Sequence, residues 1–193
     1  GLTIKCGQRC TAVRRAMVPE GRVEAVRDAL KAQLDGVRIG DPAVEGVRMG
    51  ALAGLDQRSE VERAVADLMQ EAELMYTIDS PTWEGGDAEM GAFYAPRLLA
   101  QSSPLTAEKV HNVEPFGPVT TLLPYDSLDD AISLVHKGKG SLCCSIATRD
   151  AAVAREFVVE AATHHGRILV LDASCAKEST CLLYTSPSPR DKR

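Results

Sequence analysis

Two hydrophobic patterns alternate along this chain, one with the period of a helix and one typical of a buried strand. Residues 20–37 place apolar side chains at positions 23, 26, 30, 34 and 37, three or four apart, as in an amphipathic helix. Residues 119–123 form a short β-branched and apolar run, and residues 168–171 are apolar throughout. Because helices that alternate with buried strands are the pattern of parallel sheets, the sequence predicts an α/β fold with a largely parallel sheet flanked by helices.

The same reasoning predicts the remaining elements. Strands are expected over 14–18, 92–99 and 142–147, and helices over 56–74, 127–137 and 150–163. Ser127 opens a capping-box-like pattern, and Asp150 is the expected N-cap of the last helix. Pro124 is expected to end the strand that begins at residue 119, and segments 43–54 and 79–91 are expected to be loops.

Size and charge exclude several classes of partner. The chain has 193 residues, enough for one substantial domain with a hydrophobic core. Its net charge is −5 with both signs interspersed, and we expect the Arg14-Arg15 pair on a solvated face. Such a charge distribution argues against a nucleic-acid partner, which usually needs a basic patch. Every apolar run is shorter than the roughly 18 residues of a membrane span, so no membrane association is expected.

The cysteines stand at positions 6, 10, 143, 144, 175 and 181, and no two of them have CxxC spacing. Without such pairs, or a histidine pair at zinc-ligand spacing, we expect no metal site. A chain of this size needs no disulfides for stability. We therefore expect reduced thiols in a cytoplasmic protein.

Cys10 stands in Gly7-Gln8-Arg9-Cys10, between a glycine turn and a strand-like run. A cysteine thiolate is a strong nucleophile that can form a covalent intermediate with an electrophilic substrate. The residues alone leave two roles open for Cys10, a catalytic nucleophile or a small buried hydrophobic side chain.

Glu114-Pro-Phe-Gly-Pro118 is a second distinctive segment, rigid because of its two prolines. It could hold a ligand ring at a fixed position, or it could be an ordinary rigid loop with a solvated glutamate. A third segment, Gly166-Arg-Ile-Leu-Val170, leads into the last predicted strand.

These three segments, in this order and at these separations, resemble the aldehyde dehydrogenase superfamily. The resemblance covers residues 1–180 and implies the catalytic domain of that family without its N-terminal Rossmann-type cofactor domain. It implies that Cys10 is the nucleophile, that Glu114 accepts hydrogen bonds from the nicotinamide ribose, and that Phe116 packs against the nicotinamide ring. The implied cofactor is NADP or NAD, and the implied parent enzyme is a homo-oligomer.

The finer resemblance, through segments such as Glu45-Gly-Val-Arg-Met-Gly50, is to the branch acting on CoA-linked semialdehydes from aromatic catabolism, including phenylacetate breakdown. Alternatives within the family are the related semialdehyde dehydrogenase of benzoyl-CoA degradation, an acyl-CoA-forming enzyme and one acting on aliphatic aldehydes. In this family the general-base glutamate and the oxyanion-hole asparagine precede the nucleophile in sequence, so we expect the chain to be inactive alone. An alternative of another class is a non-catalytic α/β interaction domain.

The two ends differ from the rest of the chain. Gly1-Leu-Thr-Ile4 is expected to be an internal start, since it carries no initiator methionine and leads directly to Cys10. Residues 181–193 are rich in Ser, Pro and charge and show no helix or strand period. We expect them to be a disordered tail of non-native origin that takes no part in the fold.

Overall fold

The computed structural model describes residues 1–172, so the tail prediction, Cys175 and Cys181 lie outside the described residues. The chain divides into two compact units, residues 1–138 and a second unit that begins at Lys139. The strands are β1 (Arg15–Pro19), β2 (Ile39–Gly40), β3 (Glu73–Thr77), β4 (Trp83–Glu84), β5 (Arg97–Ala100), β6 (Val119–Tyr125), β7 (Cys144–Ala147) and β8 (Ile168–Leu171). The helices are α1 (Val23–Asp35), α2 (Leu55–Leu68), α3 (Lys109–Asn112), α4 (Leu128–Lys137) and α5 (Ala151–Ala161).

The first unit is built on a four-stranded sheet with the order β1-β6-β5-β3. β6 pairs in parallel with both β1 and β5, and β3 pairs antiparallel with β5 at the edge. A separate parallel pair joins β2 and β4. The largely parallel α/β architecture predicted from the hydrophobic patterns is confirmed.

Helices cover both faces of this sheet. Successive side chains of a strand point to opposite faces, so neighbouring residues pack against different helices. Leu98 and Leu99 are adjacent on β5, both are fully buried, and they belong to different hydrophobic clusters. One cluster contains Leu99 together with Val61 and Val65 of α2. The other contains Leu98 with residues of α1 packed against it. The central strands are therefore buried on both sides.

In the second unit, β7 and β8 form a parallel pair, and α5 lies between them in sequence. The Asp150 carboxylate accepts hydrogen bonds from the backbone N–H groups of Ala152 at 2.8 Å and Val153 at 3.3 Å. Ser127 and Asp130 form a complete capping box at the start of α4. Both predicted N-caps are confirmed, because capping depends on residues that are close in sequence.

Three predicted boundaries were wrong. The strand predicted over 92–99 begins only at Arg97, since Pro96 has no N–H to donate to a sheet. The helix predicted over 56–74 ends at Leu68, and its last residues belong to β3. Pro124 does not end β6, because β5 pairs with β6 only as far as Leu122 and leaves the proline without a neighbour on that side.

The other boundaries move by a few residues. A short 3-10 turn, Glu20–Arg22, precedes α1, and another, Ala162–His164, follows α5. Segments 43–54 and 79–91 are mostly irregular, although the second contains β4. No helix within residues 1–172 is both long and apolar enough to cross a bilayer.

Candidate active site

The Cys10 segment, which we define as residues 4–10, contains three consecutive residues in the left-handed backbone region. The φ angles of Lys5, Cys6 and Gly7 are 51°, 53° and 70°. Side chains are strained in this region, and such strain persists only where the surrounding structure imposes it. The Arg9 N–H donates to the Gly7 carbonyl at 2.9 Å, which continues the turn. Cys10 follows with its side chain exposed to solvent.

Gly7 brings this segment against the Glu114 loop, which we define as residues 114–118. A Cβ built on Gly7 would lie 2.1 Å from the carbonyl oxygen of Gly117, closer than real atoms approach. Only glycine allows the two backbones to come this near. A Cβ on Gly117 would in turn lie 2.7 Å from the Val61 side chain on α2. The two motifs identified in the sequence are therefore in direct contact.

The Glu114 loop presents its two candidate functional side chains outward. Glu114 is exposed, and Phe116 keeps 43% of its surface exposed. Pro115, Gly117 and Pro118 are buried and anchor the loop. Phe116 has a φ of 49°, an unusual backbone conformation for a large aromatic residue. The loop thus holds a carboxylate and an aromatic ring at the surface on a constrained backbone.

Gln57 is a further residue of this region that the sequence analysis missed. It lies in the first turn of α2, and its side-chain amide donates to the Phe116 carbonyl at 3.3 Å. A polar residue at the start of a helix is common, so the sequence contains no signal for this contact. The structure therefore adds one polar side chain to the surroundings of the Glu114 loop.

Hydrogen bonds also connect the residues that follow Cys10 to the residues that follow the Glu114 loop. The Thr120 hydroxyl donates to the Val13 carbonyl at 2.6 Å, and the Thr121 N–H donates to the Arg14 carbonyl at 2.9 Å. These two hydrogen bonds lead into the parallel pairing of β1 with β6. The site therefore sits at one end of these two strands.

The Arg14-Arg15 pair does not form a solvated face, contrary to the prediction. Arg14 donates from Nη1 to the carbonyls of His111 at 3.2 Å and Val113 at 3.3 Å. Arg15 donates from Nη1 to the Leu134 carbonyl at 2.7 Å. Both side chains are half-buried and satisfy backbone carbonyls instead of meeting water.

His111 is a buried structural residue in the same network. Its Nε2 lies 2.8 Å from the Pro104 carbonyl, so Nε2 must donate, and its Nδ1 accepts from Arg15 Nη1 at 3.0 Å. This arrangement selects the neutral imidazole. Burial is the main cause that lowers the pKa of His111 below its ordinary value, and the charge of Arg15 lowers it further.

The two cysteines of the Cys10 segment lie in opposite environments. Cys6 is fully buried, and burial raises the pKa of its thiol to about 12. Cys10 is a free thiol exposed to solvent. Because the thiolate is the reactive form, Cys6 is inert at neutral pH and only Cys10 is open to an electrophile. The geometry is compatible with the predicted nucleophile and places Cys6 in the core.

An open cleft with a volume of about 400 Å³ borders the Cys10 segment, lined among others by Lys5, Gln8 and Arg48. The Gln8 side-chain oxygen accepts the Ala53 N–H at 2.9 Å, which fixes one wall. Arg38, on a neighbouring segment, is paired with Glu84. Within the part of the chain that the structure describes, no carboxylate forms an ion pair with Lys5 or Arg48, the two cationic side chains of the cleft.

The exposed side chains of the Glu114 loop could hold a sugar and an aromatic ring. Among the described residues, no group of three or more His, Cys, Asp or Glu side chains is placed to hold a metal ion. The Glu114 carboxylate can accept hydrogen bonds from sugar hydroxyls, and the exposed Phe116 ring offers a flat apolar surface. These are the groups that a ribose and an aromatic ring require.

The fold and the two joined motifs define an α/β domain of the aldehyde dehydrogenase type. The model of the aldehyde dehydrogenase family matches residues 1–179, and the chain belongs to that family. The 3,4-dehydroadipyl-CoA semialdehyde dehydrogenase of Aromatoleum evansii is 40% identical over 93% of this chain. Protein MaoC of Klebsiella aerogenes is 38% identical over 74% of it. The chain spans 35% of the length of the first relative and 41% of the second.

Solved structures have the same fold. Betaine aldehyde dehydrogenase of Staphylococcus aureus in complex with NAD+ superposes with a TM-score of 0.77 at 20% identity, over 89% of this chain and 33% of that one. Lactaldehyde dehydrogenase of Escherichia coli has a TM-score of 0.70 at 24% identity, over 87% of this chain and 34% of that one. At this level of identity the likeness concerns the fold alone.

Proposed function

We propose that this chain supplies the nucleophile and part of the cofactor site of an NAD(P)-dependent aldehyde dehydrogenase that oxidises a CoA-linked semialdehyde to the carboxylic acid. The observation that carries the proposal is the contact between Gly7 and Gly117. It joins the segment bearing an exposed thiol to the loop bearing an exposed carboxylate and an exposed aromatic ring.

In this proposal Cys10 attacks the aldehyde carbon as a thiolate and forms a thiohemiacetal. The bound nicotinamide supplies the hydride acceptor. The hydride leaves the thiohemiacetal carbon with its electron pair, and the carbon remains attached to Cys10 as a thioester. Water then hydrolyses the thioester, which releases the acid and restores the thiol. The Cys10 backbone N–H can help to stabilise the oxyanion of the thiohemiacetal.

Glu114 and Phe116 position the cofactor in this scheme. Glu114 accepts hydrogen bonds from the ribose hydroxyls, and Phe116 packs against the nicotinamide ring. The buried prolines on either side of Phe116 limit the movement of the loop. A fixed loop suits this role, because hydride transfer depends strongly on the distance and angle between donor and acceptor.

The substrate class is inferred from the relatives and the cleft together. The name of the Aromatoleum evansii relative specifies a CoA-linked semialdehyde. Lys5 and Arg48, beside the Cys10 segment, can attract the negative phosphates of such a thioester. The relative supports 3,4-dehydroadipyl-CoA semialdehyde as an alternative to the phenylacetate-pathway semialdehyde. A simple aliphatic aldehyde carries no phosphate, so the two cations would not increase its affinity.

The test is an activity assay in a chimera that carries residues 1–180 of this chain in place of the matching segment of the Aromatoleum evansii relative. We expect NAD(P)+ reduction with the CoA-linked semialdehyde, and a loss of kcat of at least about a thousandfold in Cys10→Ser, because the covalent step is removed. Cys143→Ser, in the second unit, is the matched thiol control and should retain activity. An equally active Cys10→Ser chimera would refute the proposal.

The 193-residue chain by itself is expected to be inactive, since it spans only 35% of the length of that relative. Measurable NAD(P)+ reduction by the chain alone would contradict this expectation. In a non-catalytic interaction domain, Cys10 would instead react with iodoacetamide no faster than Cys143 and Cys144.

A further inference from the structure

We propose that Arg14 is a positioning residue that holds the chain on both sides of the Glu114 loop and thereby sets the cofactor contact relative to Cys10. The inference rests on the proposed function for its catalytic meaning. Its structural part concerns only residues of this chain and can be tested separately.

The side chain of Arg14 holds the residue that enters the loop. Nη1 donates to the carbonyls of His111 at 3.2 Å and Val113 at 3.3 Å. Val113 immediately precedes Glu114. A hydrogen bond from a charged donor is stronger than one between neutral groups, so this contact restrains the loop at the side chain proposed to bind ribose.

The backbone of Arg14 holds β6, the strand that follows the loop. Its carbonyl accepts the Thr121 N–H at 2.9 Å, and the neighbouring Val13 carbonyl accepts the Thr120 hydroxyl at 2.6 Å. One residue therefore contacts the chain on both sides of residues 114–120. Arg14 lies four residues after Cys10 in sequence, so the residue that contacts both sides of the loop belongs to the chain that leaves the Cys10 segment.

Arg15 bonds to α4 and to the His111 ring. Its Nη1 donates to the Leu134 carbonyl at 2.7 Å, in α4, and to the His111 ring at 3.0 Å. Arg15 therefore stabilises the packing of α4 and His111, and its removal should affect the whole unit. Removal of the Arg14 guanidinium should instead loosen only the segment around the loop.

Hydrogen exchange of the 193-residue chain tests the structural part. Arg14→Gln should speed exchange of the His111, Asn112 and Val113 amides by about tenfold, because the carbonyl contacts that hold this segment are lost. Amides of β6 should keep their rates. Arg14→Lys retains a charged donor on a shorter side chain, so it should restore only part of the protection and leave exchange faster than in the native chain. The control Arg63→Gln changes an exposed arginine of α2 and should alter none of these amides.

Two exchange results would overturn the inference: unchanged rates in Arg14→Gln, or equal acceleration in β6, which would mean general destabilisation. If Arg14→Gln does not fold, Arg14→Lys decides. Exchange of the same three amides that is faster than in the native chain and in Arg63→Gln, but slower than in the unfolded chain, supports the inference. Native rates at all three amides refute it.

Kinetics of the chimera test the functional part. Arg14→Gln should raise the KM for NAD(P)+ by about tenfold and change the rate of Cys10 alkylation by less than twofold, because the thiol itself is untouched. Arg14→Lys should restore the KM only in part. An unchanged KM in Arg14→Gln would overturn the coupling. An inactive unmodified chimera would count against the proposed function and would leave the exchange result to decide the positioning role.

Discussion

Gly7 lies so close to Gly117 that a Cβ on the first residue would stand 2.1 Å from the carbonyl oxygen of the second. This approach places an exposed cysteine and an exposed carboxylate and ring on adjoining segments. The contact involves two backbones, so a side chain at position 7 cannot be accommodated by a change of rotamer.

Gly7→Ala should therefore lower the free energy of unfolding by more than about 2 kcal/mol, from the left-handed backbone at position 7 and the clash with Gly117. Urea denaturation measures the change. Gly21→Ala is the matched control, because a Cβ on Gly21 would meet nothing within 4 Å. We expect the control to stay within about 0.5 kcal/mol of the native chain. Equal stability of the two variants would show that the backbones do not pack this closely.

Phe116→Gly should separate stability from cofactor binding. The φ of 49° is strained for phenylalanine and permitted for glycine, whereas the residue is 43% exposed and its buried part is lost. Because relief of strain and loss of burial oppose each other, we expect only a small change in melting temperature, while the KM for NAD(P)+ in the chimera rises about tenfold through loss of the ring contact. A large drop in melting temperature together with an unchanged KM would assign Phe116 a structural role.

The two cysteines of the Cys10 segment should differ in alkylation. At neutral pH, iodoacetamide should label Cys10 and leave Cys6 unmodified, because Cys6 is buried and its thiol has a pKa raised to about 12. Peptide mass spectrometry of the folded chain reads out both sites. Labelling in denaturant, where both thiols should react, is the control. Labelling of Cys6 at the rate of Cys10 in the folded chain would contradict the structure.

Stability should fall as the pH drops below the ordinary histidine pKa. Burial and the nearby charges of Arg15, Lys137 and Arg14 lower the pKa of His111 in the folded chain below its usual value of 6.5. The unfolded chain then takes up the proton first, so the stabilisation is complete above about pH 6.5 and is lost progressively towards the lowered folded-state pKa. Denaturation curves between about pH 8 and pH 5 measure the loss.

His111→Gln is the comparison for this pH dependence. Glutamine keeps a donor and an acceptor but does not titrate, so the slope of stability against pH should be smaller in the variant. The remaining histidines are present in both proteins and cancel in the comparison. Identical slopes would show that His111 does not contribute.

The cationic cleft should matter for CoA thioesters only. In the chimera, a double change of Lys5→Glu and Arg48→Glu should raise the KM for a CoA-linked semialdehyde about tenfold at low salt and less at high salt. The KM for a short aliphatic aldehyde should be unchanged and serves as the internal control. An equal rise in KM for both substrates would show that Lys5 and Arg48 do not bind the CoA phosphates, and it would favour an aliphatic aldehyde as the substrate.

Much of the fold could be predicted because it depends on local patterns. The period of α1, the caps at Ser127 and Asp150, and the apolar run of β8 all involve residues close in sequence. β3 could not be predicted this way, because its pairing with β5 is a contact between distant residues at a sheet edge. The same limitation led us to expect Arg14 and Arg15 on a solvated face, since their acceptors are carbonyls far along the chain.

The same distinction between local and long-range contacts applies to the candidate site. The sequence by itself determined the residue types: a cysteine after a glycine turn, a glutamate, and a phenylalanine with a proline on either side. Only the tertiary structure decided that these motifs touch, that Cys10 is exposed while Cys6 is buried, and that Arg14 donates to the carbonyl of the residue before the loop. The physical reason is that burial and backbone contact depend on which distant segments pack together, whereas turn and cap preferences are properties of neighbouring residues.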